Sequence, residues 1–67
     1  MKDHLRKLIQ RIREEFEETP GLRLTVHEAS RFWALDETTC GVVLAELVST
    51  GFLAQGIDDR FQTYARA

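Results

Sequence analysis

The side chains that most often carry out chemistry in proteins are sparse in this 67-residue sequence. Its one cysteine, Cys40, lies among apolar residues at helical spacing, and the nearest charges are Asp36 and Glu37. A reactive thiolate needs exposure and nearby positive charge, so this position favours a buried and unreactive thiol. A single cysteine forms no internal disulfide, and the sequence holds no Cys/His cluster with the spacing of zinc ligands.

The histidines and acidic residues do not form a catalytic set either. His27 falls in the first turn of a predicted helix, where the dipole disfavours an imidazolium, so we expect it and His4 to be solvated. The run EEFEE, residues 14–18, lacks a partner base, and the loop GIDDR, residues 56–60, lacks calcium-ligand spacing and a phosphate cradle. We therefore expect no enzyme activity, no bound metal, no cofactor and no small-molecule substrate.

The composition indicates one soluble domain that covers residues 1–67. Hydrophobic residues make up 43% and charged residues 30% of the chain, as in ordinary globular domains. No apolar run approaches the ~20 residues needed to cross a bilayer, and the N-terminus lacks a signal-peptide pattern, so we expect a cytoplasmic protein. The net charge of −2 gives no general attraction to phosphates, but residues 1–13 are basic and residues 14–18 are acidic.

Apolar periodicity and turn signals predict three helices, a very short strand and a C-terminal hairpin. The strongest periodic signal lies in the first helix, where the apolar residues are Leu5, Leu8, Ile9, Ile12 and Phe16. The predicted elements are a helix over 3–18, a strand over 22–25, a helix over 26 to about 34, a helix over 37–49, and strands joined near 56–60.

Capping residues predict where the second and third helices begin and end. Thr25 and Glu28 have the spacing of a capping box, and Asp36 suits the N-cap of the third helix. Gly51 fits a left-handed position after that helix, which would bring Phe52 toward Leu47.

The same periodicity predicts which residues point inward. On the third helix the predicted inward set is Cys40, Val43, Leu44, Leu47 and Val48. On the second helix it is Val26, Ala29, Phe32 and Trp33. One or both of Phe61 and Tyr64 are expected to pack against the first helix.

The segment LTVHEASRFWALDETTCGVVLAELVSTGFL, residues 24–53, resembles the winged helix-turn-helix superfamily, especially small bacterial single-domain members. The resemblance implies an α+β, mainly α fold, with a three-helix core, a short strand and a C-terminal β-hairpin wing. It also implies that residues 37–49 form the recognition helix and residues 55–64 the wing.

By the same resemblance, the chain is a small DNA-binding, transcription-regulator-like domain. Its nucleic-acid-binding residues would be Thr38, Thr39, Val42, Arg31 and Arg60. The predicted recognition helix contains no Lys or Arg, although cations supply most affinity for phosphates. Binding to double-stranded DNA would therefore depend on arginines elsewhere, and it is unsettled whether Arg31, Arg60 and the stripe Lys2, Arg6 and Arg13 share one face.

The uncharged outer side of the third helix has a second interpretation. Gly41, Val42 and Ala45 form a small, partly apolar patch that a helix of another protein could approach closely. The alternative is therefore a protein-interaction or dimerisation module, with a protein partner or a homodimer.

Overall fold

The computed structural model of the protein describes residues 2–63, for Lys2 the backbone alone. Its elements are α1 (Lys2–Glu18), α2 (Val26–Phe32), α3 (Glu37–Ser49), β1 (Leu53–Gln55) and β2 (Phe61–Thr63). The fold is α+β and mainly helical, as predicted, and its element order is compatible with a winged-helix layout. Within residues 2–63, every helix is too short or too polar to span a bilayer.

The first helix starts one residue earlier than predicted, at Lys2, and ends at Glu18 as predicted. The chain then turns through Gly21, whose φ of 90° lies in the left-handed region. Asp3–Lys7, Arg11–Glu15 and Arg13–Glu17 have the i,i+4 spacing of helical ion pairs, and of these three only Arg13–Glu17 forms among the described residues, at 3.7 Å.

The strand predicted over residues 22–25 is reduced to one bridge. Leu24 pairs with Phe61, with N–H to oxygen bonds of 3.1 Å and 2.6 Å in the two directions. The extended stretch stops there because Thr25 is already the N-cap of α2. Its hydroxyl accepts from the Glu28 amide at 3.1 Å, and the Glu28 carboxylate accepts from the Thr25 amide at 3.0 Å, which confirms the predicted capping box.

The second helix ends at Phe32, two residues before the predicted end. It stops because Ala34 adopts a left-handed φ of 56°, and the Leu35 amide then donates to the Ser30 carbonyl at 2.8 Å. Two residues later, the Asp36 carboxylate accepts from the Thr39 amide at 2.9 Å and starts α3. This short turn positions α3 against α2.

The third helix has the predicted bounds, and a left-handed glycine follows its end. Gly51 has a φ of 86°, its amide donates to Val48 at 3.0 Å, and the Phe52 amide donates to Leu47 at 3.0 Å. These two bonds form the Schellman pattern and turn the chain into β1.

The strands β1 and β2 pair in antiparallel register, with Leu53 opposite Thr63 and Gln55 opposite Phe61. The predicted turn at residues 56–60 is confirmed: the amide of Asp59 donates to Gly56, and Asp59 takes a left-handed φ of 65°. A type I turn followed by a left-handed residue is a common three-residue hairpin connection. Tyr64 and the end of the predicted wing lie outside the described residues.

The core lies between α1, α2, α3 and the hairpin. Its fully enclosed apolar residues are Ile12, Phe16, Ala29, Cys40, Val43, Leu44, Leu47, Leu53 and Phe61. Two inward predictions are wrong. Val48 is 37% exposed because it lies one residue, about 100°, past Leu47 around the helix, beyond the covered arc. Phe32 is 58% exposed, because Trp33 takes the inner position with its ring 5.8 Å from that of Phe16.

Candidate interaction surface on the third helix

The third helix has one open side, the outer face, formed by Thr38, Val42, Ala45 and Ser49. These residues recur every three or four positions and lie opposite the buried residues Cys40, Val43, Leu44 and Leu47. All four are exposed, and 49% of Val42 is accessible to solvent. Gly41 and Thr39, at the edges of the outer face, are half-buried. The prediction that Val42 and Ala45 are exposed is therefore confirmed.

The charges beside the outer face are all negative. Glu37 and Glu46 are the charged residues of α3, and Asp36 caps its start. The backbone N–H of Thr39 holds the pKa of Asp36 below its ordinary value, so this carboxyl stays ionised at neutral pH. Nδ1 of His27, on α2, lies 2.6 Å from the Glu37 carboxylate and joins the first turns of the two helices. The end of α3 that would approach a phosphate backbone is thus acidic.

The arginine in the hairpin turn forms an exposed ion pair with a carboxylate. Arg60 lies 3.5 Å from the Glu28 carboxylate on α2. The pKa of Glu28 is lowered mainly by the backbone N–H of Thr25 and secondarily by Arg60. Because both side chains are more than 40% exposed, this ion pair holds Arg60 only weakly.

A second ion pair at the hairpin was not predicted from the sequence. Arg23, before α2, lies 3.1 Å from the Asp58 carboxylate in the hairpin turn. The backbone N–H of Arg60 is the main cause that lowers the pKa of Asp58, and Arg23 adds to it. The sequence did show an arginine in a short extended segment and two adjacent aspartates in a turn. It did not show that Leu24 would pair with Phe61, which brings the arginine and the aspartates together.

The remaining predicted cations belong to α1 and α2, and the side chain of Lys2 lies outside the described residues. Arg31 is exposed in the last turn of α2 and has no carboxylate within 4.0 Å among the described residues. Arg6 and Arg13 instead line a groove between α1 and α3. The structure therefore brings Thr38, Thr39 and Val42 together on α3, while Arg31 and Arg60 lie on α2 and the hairpin.

The one cysteine and the possible metal ligands lie apart from this surface or do not cluster among the described residues. Cys40 is fully buried, as predicted, and burial together with Asp36 and Glu37 raises the pKa of its thiol. Residues 2–63 contain no group of three or more His, Cys, Asp or Glu side chains that could hold a metal ion.

Comparison with known proteins leaves the family open. No protein-family model matches the chain, and the searches of curated proteins and of solved structures found no match either. The function must therefore be argued from the residues of the outer face and their surroundings.

Proposed function

We propose that this chain is a protein-binding module of the winged helix-turn-helix type, and that the outer face of α3 contacts the partner. The observation that carries the proposal is the chemistry of that face. Thr38, Val42 and Ala45 are exposed, α3 has no cation, and Glu37 and Glu46 lie beside the outer face. The centres of protein interfaces are depleted of charge, whereas a helix that reads DNA relies on cations and hydrogen-bond donors.

The winged-helix assignment is supported by the order and contacts of the elements. Two capped helices, α2 and α3, are joined by a short turn, and the β1–β2 hairpin follows α3 directly. Leu24 adds a single bridge to the hairpin at Phe61, where such domains have their short first strand. In DNA-binding members of this superfamily the second helix of the motif presents its exposed side to the major groove, and we propose that here the same side contacts a protein.

The shape of the outer face favours a helical partner. Gly41 and Ala45 carry little side chain, so the backbone of a second helix can come close, and Val42 projects beside them as an apolar contact. Lysines or arginines beside the partner's apolar ridge would face Glu37 and Glu46. The proposed partner is therefore an amphipathic helix with a basic border.

Site-specific photo-crosslinking in the native cells tests the proposal. A photoreactive residue at position 45 should capture one discrete protein, and the same residue at position 57 should not, since Ile57 is fully exposed at the hairpin turn, away from α3. With the captured protein purified, Val42→Glu should weaken binding by about tenfold or more, because it places a charge in a desolvated contact. Ile57→Glu is the matched control. Equal losses in the two variants, or no capture from position 45, would rule out the outer face.

Binding to double-stranded DNA is the second candidate, and one observation favours it. Arg31 projects from the last turn of α2 without an ion-pair partner among residues 2–63, and Thr38 and Thr39 lie at the start of the next helix. Arg31 would contact a phosphate, and the threonines would contact base edges or phosphates. Such binding would resemble that of DNA-binding winged-helix domains, with fewer contacts. Arg60 would add to it by exchanging its exposed contact with Glu28 for one with a phosphate.

A titration with generic duplex at about 50 mM salt separates the two candidates. If the chain binds DNA, amide signals of α3 and the hairpin shift, the affinity falls steeply as salt rises, and Arg31→Glu weakens it. Glu28→Gln should strengthen it, because glutamine preserves the capping box while it frees Arg60. An absence of shifts at that salt concentration excludes DNA and leaves the protein-binding proposal standing.

A further inference from the structure

A small depression on the exposed side of α1 brings basic side chains together. It is lined by His4, Lys7, Leu8 and Arg11, and its volume is about 160 Å³. Lys7 and Arg11 are cations, and a ring nitrogen of His4 can donate a hydrogen bond. These three residues are exposed, and Leu8 beside them is half-buried. The depression thus combines several hydrogen-bond donors with one apolar side chain.

Helical spacing explains why these residues share a depression. Positions 4, 7 and 11 are three and four residues apart, so at about 100° per residue they fall within an arc of about 60°. They extend over about 10 Å of the helix axis, and the flexible stems of lysine and arginine can span part of that distance. Arg6 and Arg13 lie on a different side of α1, where they line the groove between α1 and α3. Donors from successive turns can therefore reach one ligand in the depression.

Among the described residues, no carboxylate pairs with the two cations of the depression. Asp3 stands four residues before Lys7, and Glu15 stands four residues after Arg11. Neither pair comes within 4.0 Å in the described part of the chain. A ligand would therefore reach both cations without displacing a carboxylate of α1.

The charge on this side of α1 changes sign beyond Arg11. Glu14, Glu15 and Glu18 follow Arg11 by three, four and seven residues, so they lie on the same side of the helix, one to two turns further along. An extended polyanion that followed α1, or an anionic membrane that covered it, would meet these carboxylates and be repelled. An anion small enough to stay within the depression meets only donors. The charge distribution therefore favours a compact anion.

We propose that this depression binds a compact phosphate dianion, either inorganic phosphate or the phosphate group of a small phosphomonoester. Arg11 offers a planar fork to two phosphate oxygens, and Lys7 offers a point charge with three donors. His4 adds a further donor, and Leu8 offers an apolar contact to the organic part of a phosphomonoester. The site is separate from the outer face of α3 and does not depend on the function proposed there.

A titration of the whole chain followed by NMR tests the proposal. Sodium phosphate replaces sodium chloride at a constant ionic strength of about 150 mM, so that general screening of charge stays the same. At about pH 7.5 the added phosphate groups are mainly dianions. The amides of residues 4–11 should shift and saturate in the millimolar range, because hydrogen bonds between exposed charges are weak. The amide of Val42, on the outer face of α3, should not shift.

Three glutamine variants test which cations bind the phosphate. Lys7→Gln and Arg11→Gln should each weaken binding by about twofold to fivefold, as expected for the loss of one exposed charge. Glutamine has nearly the helix propensity of lysine and arginine, so α1 should remain folded. Arg6→Gln is the matched control, since it removes the same charge from the other side of α1. A helix about 10–12 Å wide exceeds the screening length of about 8 Å at this ionic strength, so the control should bind phosphate as the unaltered chain does.

Further titrations distinguish the sources of the phosphate group. Glycerophosphate that binds more tightly than inorganic phosphate would identify a phosphomonoester as the ligand, and equal affinities would identify free phosphate. Vesicles of phosphatidylcholine with phosphatidic acid, and a generic DNA duplex, present the same group on a membrane and on a polyanion. The glutamates beyond Arg11 should prevent either from shifting the amides of residues 4–11.

Three outcomes would overturn the proposal. The first is an absence of saturable shifts at residues 4–11 with either soluble phosphate in the millimolar range. The second is an equal loss of binding in Arg6→Gln and Arg11→Gln, which would mean that only total charge matters. The third is binding of vesicles or duplex through residues 4–11 without binding of the soluble phosphates, which would assign these residues to a membrane or nucleic-acid surface.

Discussion

Replacing Ala34 by glycine should stabilise the protein, although the same change usually destabilises a helical protein. Ala34 follows α2 with a φ of 56°, where an L-residue is penalised by about 1–2 kcal/mol. Glycine removes that penalty, but it also lowers the stability by about 0.4–1 kcal/mol because it raises the entropy of the unfolded chain. Because the Ala34 side chain is exposed, little packing is lost. The net gain should be about 0.5–1 kcal/mol, which raises Tm by about 2–8 °C in a domain of this size.

Urea unfolding followed by the fluorescence of Trp33, the one tryptophan, measures this change. Ala45→Gly is the matched control, since Ala45 is an exposed residue in the interior of α3 and should lose about 0.8–1 kcal/mol. Equal slopes against urea would show that the variants differ in stability and not in the surface exposed on unfolding. If Ala34→Gly loses as much stability as Ala45→Gly, Ala34 does not adopt the left-handed conformation described above. The orientation of α3 relative to α2, and with it that of the outer face, would then also be refuted.

Three further predictions concern the other turn, an N-cap and the buried thiol. Asp59→Gly should also raise Tm, but by less than Ala34→Gly, since aspartate tolerates the left-handed region better than alanine. The pKa of Asp36 is lowered in the folded state from its ordinary value of 3.8, so its stabilisation is complete above that pH and is lost as the pH falls below it. Asp36→Asn should preserve the cap and weaken this acid dependence, as measured by urea unfolding between about pH 2 and pH 6. Cys40 should react with a thiol reagent only at the rate of unfolding, and labelling of the folded protein at the rate of a free thiol would contradict its burial.

The sequence predicted the helix boundaries well wherever it contains a recognisable capping residue. Thr25 with Glu28, Asp36 and Gly51 each satisfy backbone groups within a few residues of themselves, so their roles can be predicted without the rest of the chain. The early end of α2 is the exception. Alanine at position 34 gives no sign of a left-handed residue, and the helix stops there because Leu35 bonds back to Ser30.

Packing and ion pairs were less predictable, because they depend on elements far apart in the chain. Trp33 and Phe32 are adjacent and both aromatic, and only the position of Phe16 on α1 decides which of them enters the core. The ion pair between Glu28 and Arg60 likewise depends on how the hairpin lies against α2. The neutral outer face of α3 could be predicted from helical periodicity alone, whereas the ion pair between Arg60 and Glu28 could not.

The placement of two arginines shows why the net charge of −2 says little about binding. Arg6→Glu and Arg31→Glu change the total charge by the same amount, and any argument from the overall field would give them equal effects. The structure places Arg6 on the groove between α1 and α3, and Arg31 in the last turn of α2. Of the two changes, only Arg31→Glu should therefore weaken DNA binding, and protein binding at the outer face should be insensitive to both. Local placement of charge, and not its sum, determines what this domain can bind.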